Sequence, residues 1–282
     1  MLKARLALFA AALVIALVPA SAAHAQATGE YVALGDSYAA GPLIPAPIPP
    51  FGCLKSSNNY GRLANTTLRY TYRDATCSGA ETEDMTAPQG VSPRPNPPQF
   101  DRLTATTTLV LITIGGNDIG FSGIAEDCFS QQNTGTPCQD RYVVNGQDEI
   151  SQRIAETAPK VDAVLDGIRS RSPNAKILVV NYASIFPDEG PGCWPVVPIS
   201  DGDVPYVRAK QKELNAMVAA QSAANNVEVI DWYTASIGHD ACQPPVIRWV
   251  EPVVPANAAA PLHPNLIGML GASELLTAAI AG

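Results

Sequence analysis

The chain has 282 residues, with 26 Asp and Glu against 18 Lys and Arg, for a net charge of −8 at pH 7. An acidic chain with no basic run is a poor partner for nucleic acid, whose binding rests on Lys and Arg meeting phosphates. A chain of this length with 46% hydrophobic residues can bury a substantial core without help from metals or disulfides.

The chain opens MLKARLALFAAALVIALVPASAAHA. Lys3 and Arg5 form a basic start, Leu6 to Val18 an apolar core too short to span a bilayer comfortably, and Ala23-His24-Ala25 a small-x-small cleavage site. This pattern predicts a secretory signal peptide over residues 1–25, with residues 26–282 as one domain. A membrane anchor fits less well, because no second apolar stretch follows and the flank is polar. No cysteine stands at the cleavage site to carry a lipid. Losing Lys3 and Arg5 takes the net charge to about −10. A monomer is expected.

Tyr31 to Leu34 is the first predicted strand, in YVALGDSYAAG. Gly35 breaks it and Asp36-Ser37 follows. Those residues suit a plain turn, since glycine tolerates unusual φ and Asp and Ser bond their own backbone. They equally suit a reactive group, because parallel α/β sheets carry their sites at the carboxyl ends of strands. A proline-rich loop, GPLIPAPIPPFG, comes next. Its Leu43, Ile44, Ile48 and Phe51 are candidates either for an acyl groove or for ordinary loop packing. A short helix is predicted in NNYGRLANTT, then a second strand over Tyr70 to Ala75. That strand runs into ATCSGAET, where Gly79 is either a glycine beside a half-cystine or a backbone N–H open to a ligand.

A second proline-rich loop, APQGVSPRPNPPQ, leads to a third strand over Thr108 to Ile114. It ends in GGND, where Asn117 follows a glycine break much as Ser37 does. A long helix with a kink at Pro159 is predicted in residues 146–173, with Ile150, Ile154, Val161, Val164, Leu165 and Ile168 at helical spacing. The fourth strand is Lys176 to Asn181, the third helix Val204 to Asn225, the fifth strand Val227 to Asp231, and the last helix Pro264 to Ile280. Continuous apolar runs such as TLVLITIGG belong to strands covered on both faces. Alternation of strand and helix gives an α/β parallel sheet between two helical layers.

The cysteines are Cys53, Cys77, Cys128, Cys138, Cys193 and Cys242. An even count in an exported chain implies disulfides, though six cysteines allow fifteen pairings. Loop closure favours the near-neighbour pairs 53–77, 128–138 and 193–242. With no Cys-x-x-Cys and two histidines after the leader, no metal and no cofactor are expected.

A serine nucleophile at neutral pH needs a general base, most often histidine. His239, in SIGHDACQ, reads as a loop residue. His263, in PLHPNLIGML, stands on the loop entering the last helix, where the helix N-terminus disfavours imidazolium and keeps a base neutral.

GDS near the start, a glycine after the second strand, GGND after the third and HP before the last helix together resemble the SGNH hydrolases, or GDSL lipases and esterases. The resemblance spans essentially the whole mature chain and is greatest to secreted actinobacterial lipases and esterases with three disulfides. It implies a three-layer α/β/α fold with five parallel strands in the order 2-1-3-4-5. It implies hydrolysis of a carboxylic ester, lipid or acyl, with Ser37 as nucleophile and His263 as base. The Ser37 N–H, the Gly79 N–H and the Asn117 amide would form the oxyanion hole. The family's usual acid three residues before the histidine is here Ala260. The expected orienter of His263 is therefore the Ala260 carbonyl, with Glu251 and Asp240 as remoter carboxylates. A non-catalytic binding protein on the same scaffold and a carbohydrate deacetylase are the alternatives.

Overall fold

The structure, a computed structural model, describes residues 29–281, so the predicted leader lies outside the described residues. Five parallel strands form the sheet: β1 (Glu30–Gly35), β2 (Thr71–Asp74), β3 (Thr107–Thr113), β4 (Lys176–Val180) and β5 (Glu228–Ile230). Their order is β2-β1-β3-β4-β5, as the resemblance implies. Val32 lies opposite Arg73 on β2 and Val110 on β3, and Leu111 lies opposite Leu178 on β4. Each predicted strand falls within two residues of an observed one.

The helices are α1 (Ser37–Ala40), α2 (Tyr60–Leu68), α3 (Phe121–Asp127), α4 (Pro137–Tyr142), α5 (Glu149–Arg171), α6 (Val204–Ala224), α7 (Trp232–Ala235) and α8 (Leu266–Ala281). The short helices α1, α3, α4 and α7 carry too few turns to show a periodic apolar face, and none was expected. Helix α5 runs unbroken from Glu149 to Arg171 with Pro159 inside it. Helix α8 starts at Leu266 rather than at Pro264, because the Asn265 side chain accepts from the Gly268 N–H at 3.1 Å and caps it.

Helix α2 connects β1 to β2, moving one way along the sheet. Helices α5 and α6 connect β3 to β4 and β4 to β5, moving the other way. Right-handed crossovers in opposite directions put their helices on opposite faces. Accordingly α2 packs with α8, and α5 with α6. The core fills the space between: Leu109, Leu111, Ile112 and Leu178 of the sheet, with Ile150, Leu165 and Ile168 of α5, are each no more than 2% exposed. Each such side chain contributes about 1.5–3 kcal/mol through its removal from water.

The disulfides are Cys53–Cys77, Cys128–Cys138 and Cys193–Cys242, the near-neighbour pairs. Among the described residues no helix is long and apolar enough to cross a membrane. The sheet order reverses direction between β1 and β3. At such a switch point the loops beyond two adjacent strands diverge and leave a crevice.

Candidate active site

The crevice is built first by ending β1. A buried side chain from the second proline-rich loop, Gln99, pairs both backbone groups of Gly35. It accepts from the Gly35 N–H at 2.7 Å and donates to the Gly35 carbonyl at 3.0 Å. With its last ladder groups satisfied, β1 turns without a further strand residue. Asp36 then caps α1, accepting from the Tyr38 N–H at 2.9 Å. Ser37 becomes the first residue of that turn.

The histidine arrives from the far end of the chain. His263 Nε2 lies 2.8 Å from Ser37 Oγ. Nδ1 lies 2.7 Å from the carbonyl of Pro261. The Ala260 expectation is thus corrected by one residue: the Ala260 carbonyl accepts instead from the His263 backbone N–H at 3.2 Å, closing a turn that aims the Pro261 carbonyl at the ring. The Tyr38 hydroxyl donates to Leu262 O at 2.9 Å and pins that loop to the serine turn. Burial holds the imidazole below its ordinary pKa, partly offset by the Pro261 carbonyl. Both effects together favour the neutral imidazole at pH 7.

The remaining candidates are engaged elsewhere. Glu251 is fully buried and accepts from the Ala256 and Asn257 N–H groups and from the Asn257 and Asn265 side chains, at 2.7–3.1 Å. Burial pushes its carboxyl up, but those bonds outweigh burial and hold it below the usual value. It organises the loop that carries His263 without touching the ring. Asp240 accepts from the Cys242 N–H and the Gln243 side chain. His239 stacks on Trp249, ring centroids 4.5 Å apart, and meets Ile247 O at 2.6 Å.

The Asn117 amide donates to Ala80 O at 2.9 Å, which leaves its second N–H available. That bond holds the loop carrying Gly79 against the turn after β3. Gly79 has φ +79°, and a Cβ there would meet only Gln89 Nε2, at 3.6 Å. Its left-handed backbone, rather than crowding, calls for glycine. Among the described residues neither the Ser37 N–H nor the Gly79 N–H donates to a protein acceptor.

The sequence assigns no role in the site to Asp36, the middle residue of GDS, or to Tyr182. The Tyr182 hydroxyl donates to Asp36 Oδ2 at 2.6 Å. Burial raises the Asp36 carboxyl to about 7, against the hydrogen bonds from Tyr182 and Tyr38. Gln99 and Tyr182 meet their partners across 64 and 146 residues of chain, so only the fold reveals them.

One pocket opens at Ser37, Asn117 and His263 and runs into apolar surroundings. Its walls come from Ile119, Phe121, Ile124 and Ala125 on the β3 side, Ile185, Phe186 and Ile199 beyond β4, and Val207 and Leu214 of α6. None of the suggested groove residues lines it. Leu43 and Phe51 are exposed and Ile44 is buried in loop packing, so the first proline-rich loop is not its wall.

A model of the GDSL-like Lipase/Acylhydrolase family matches residues 33–269. Lipase 2 of Streptomyces coelicolor is 38% identical over 266 residues, covering 88% of this chain and 85% of that protein. The crystal structure of an extracellular lipase from Streptomyces rimosus superposes with a TM-score of 0.74 at 27% identity, covering 89% of this chain and 99% of that one. A phospholipase A1 from Streptomyces albidoflavus shares the fold at a TM-score of 0.75 and 24% identity, over 89% and 98% of the two chains.

Proposed function

The chain belongs to the GDSL-like lipase/acylhydrolase family and is a carboxylic ester hydrolase; from that premise we propose that it is an exported, monomeric enzyme that cleaves acyl esters through an acyl-enzyme on Ser37. The observation that carries this reading is the 2.8 Å approach of His263 Nε2 to Ser37 Oγ at the mouth of an apolar pocket.

His263 takes the hydroxyl proton as Oγ attacks the ester carbonyl, and the Pro261 carbonyl accepts from Nδ1–H so that Nε2 is the free base. The oxyanion is met by the Ser37 and Gly79 N–H groups and the second N–H of Asn117. Collapse expels the alcohol, which leaves with the proton from His263. Water, deprotonated by the same ring, then frees the acid and restores the serine. The pocket's apolar lining supports an acyl chain longer than acetyl, which favours lipid or acyl esters over carbohydrate deacetylation. Three disulfides, and an extracellular lipase among the relatives, support export.

A fluorophosphonate probe should label Ser37, and Ser37→Ala should abolish both labelling and hydrolysis of p-nitrophenyl esters while the circular dichroism stays native. Wild-type turnover in that variant overturns the reading.

A further inference from the structure

Tyr182 follows β4 by two residues and is 5% exposed. Two bonds meet on its phenol oxygen. It accepts from the Gly116 N–H at 2.7 Å and donates to Asp36 Oδ2 at 2.6 Å. An amide N–H only donates, so the phenol O–H is left for the carboxylate. Gly116 immediately precedes Asn117, and Asp36 immediately precedes Ser37. A single oxygen therefore bridges the turn that carries the serine and the turn that carries the asparagine.

The bridge is itself held still. The Tyr182 N–H donates to Asn215 Oδ1 and its carbonyl accepts from Asn215 Nδ2, both at 2.9 Å. Its ring packs edge-on against Tyr38 at 5.1 Å. The two turns are also fitted to it. A Cβ on residue 116 would lie 3.0 Å from the phenol oxygen and its ring carbon, so glycine is what lets the asparagine turn come this close. On the other side, Asp36 holds the Tyr38 N–H with its second oxygen, so the carboxylate spans the backbone around Ser37.

The geometry points to Tyr182 as a positioning residue that sets the separation of the Ser37 hydroxyl and the Asn117 amide, so that both reach one tetrahedral centre. This rests on the reading of Ser37 as nucleophile and Asn117 as oxyanion donor. Tyr182 touches no reacting atom. An oxyanion donor works only within about 2.7–3.1 Å of where the charge develops, and a misplacement of about 1 Å can cost a hundredfold. Asp36 is also tied to the end of β3 by its N–H, which donates to Thr113 O at 3.0 Å, but Gly116 and Asp36 themselves meet through this one side chain, whose fixed oxygen sets how far apart the two turns stand.

The test is a double-mutant cycle in the full enzyme, reading kcat and KM on p-nitrophenyl butyrate below the melting temperature of every variant. Asn117→Ala should lower kcat about 100- to 1000-fold. Tyr182→Phe should lower kcat about 10- to 100-fold with KM within about twofold. In the Asn117→Ala background the same substitution should cost less than about threefold, because the group it places is gone. Gly116→Ala, which displaces the turn while keeping the phenol, should show the same loss and the same non-additivity, and it serves if the phenylalanine variant does not fold. If Asn117→Ala is impaired but Tyr182→Phe keeps wild-type kcat, or its loss multiplies in full with that of Asn117→Ala, Tyr182 is a structural tyrosine and the inference is wrong. If Asn117→Ala itself keeps wild-type kcat, the oxyanion reading fails first and the inference with it.

Discussion

His263 has both ring nitrogens committed before any substrate arrives, Nε2 to Ser37 and Nδ1 to a backbone carbonyl. Burial lowers its pKa from 6.5, so the protonated, inactive form is favoured only at more acidic pH. kcat/KM should rise with pH along a limb centred below 6.5; a pH profile on an uncharged ester, with its rising limb centred well above 7, would contradict the neutral base. Ser37, Asn117 and His263, which the fold brings to one pocket, stand out as candidates in the sequence because each is a polar residue set where a strand breaks or a helix begins. The carbonyl on Nδ1 was legible only to within one residue, since a turn's carbonyl directions do not follow from side-chain identity. Tyr182 gave no signal, being one tyrosine among nine.

Between residue and fold, strands and long helices were readable and short elements were not. The apolar runs of β3 and β4 and the spacing along α5 declare themselves, whereas the seven residues of α3 show no full period. Yet α3 forms one wall of the pocket and ends at Cys128, which also lines it. It is tied to α4 by the Cys128–Cys138 bond and by Asp127, which meets Arg141 at 2.9 Å and the Tyr142 hydroxyl at 2.8 Å. Of the two readings open to Leu43, Ile44, Ile48 and Phe51, loop packing is the one that holds, since none of them lines the pocket: scattered apolar residues near Ser37 in sequence are not those near it in space. Two of the three disulfides should separate stability from specificity. The Cys193–Cys242 bond closes 49 residues and the Cys128–Cys138 bond closes 10. Loop entropy then makes replacement of the first pair by alanine costlier by about 1.4 kcal/mol. Replacing Cys128 and Cys138 should instead raise KM more for long-chain than for short-chain esters. Urea midpoints and a chain-length panel on the two variants check both expectations; a chain-length effect confined to the 193–242 variant would refute the assignment of α3 as the wall.

Across the molecule, the order 2-1-3-4-5 opens its crevice between β1 and β3, and a carboxylate is buried there. Asp36 has a raised pKa, about 7 when folded against 3.8 as its ordinary value. The folded state keeps that proton where the unfolded chain releases it. The stability Asp36 contributes is thus complete below about pH 4 and is lost as pH rises to about 7. Asp148, Asp188, Asp231 and Glu251, held below their ordinary values, act in the opposite sense as pH falls. The quantity to measure is therefore the difference between wild type and Asp36→Asn in urea midpoint from pH 4 to 8. It should move in favour of the asparagine variant as pH rises and level off above 7; a difference independent of pH would mean that Asp36 is not a buried titrating group. The bond from Ser37 to His263 spans 226 residues of chain. A ribosome must therefore read through all but the final helix before this contact can form, and every shorter translation product lacks the proposed base. On the proposed mechanism, latency during synthesis is written into the order of residues along the chain: an ester hydrolase cannot act before its last loop has been made.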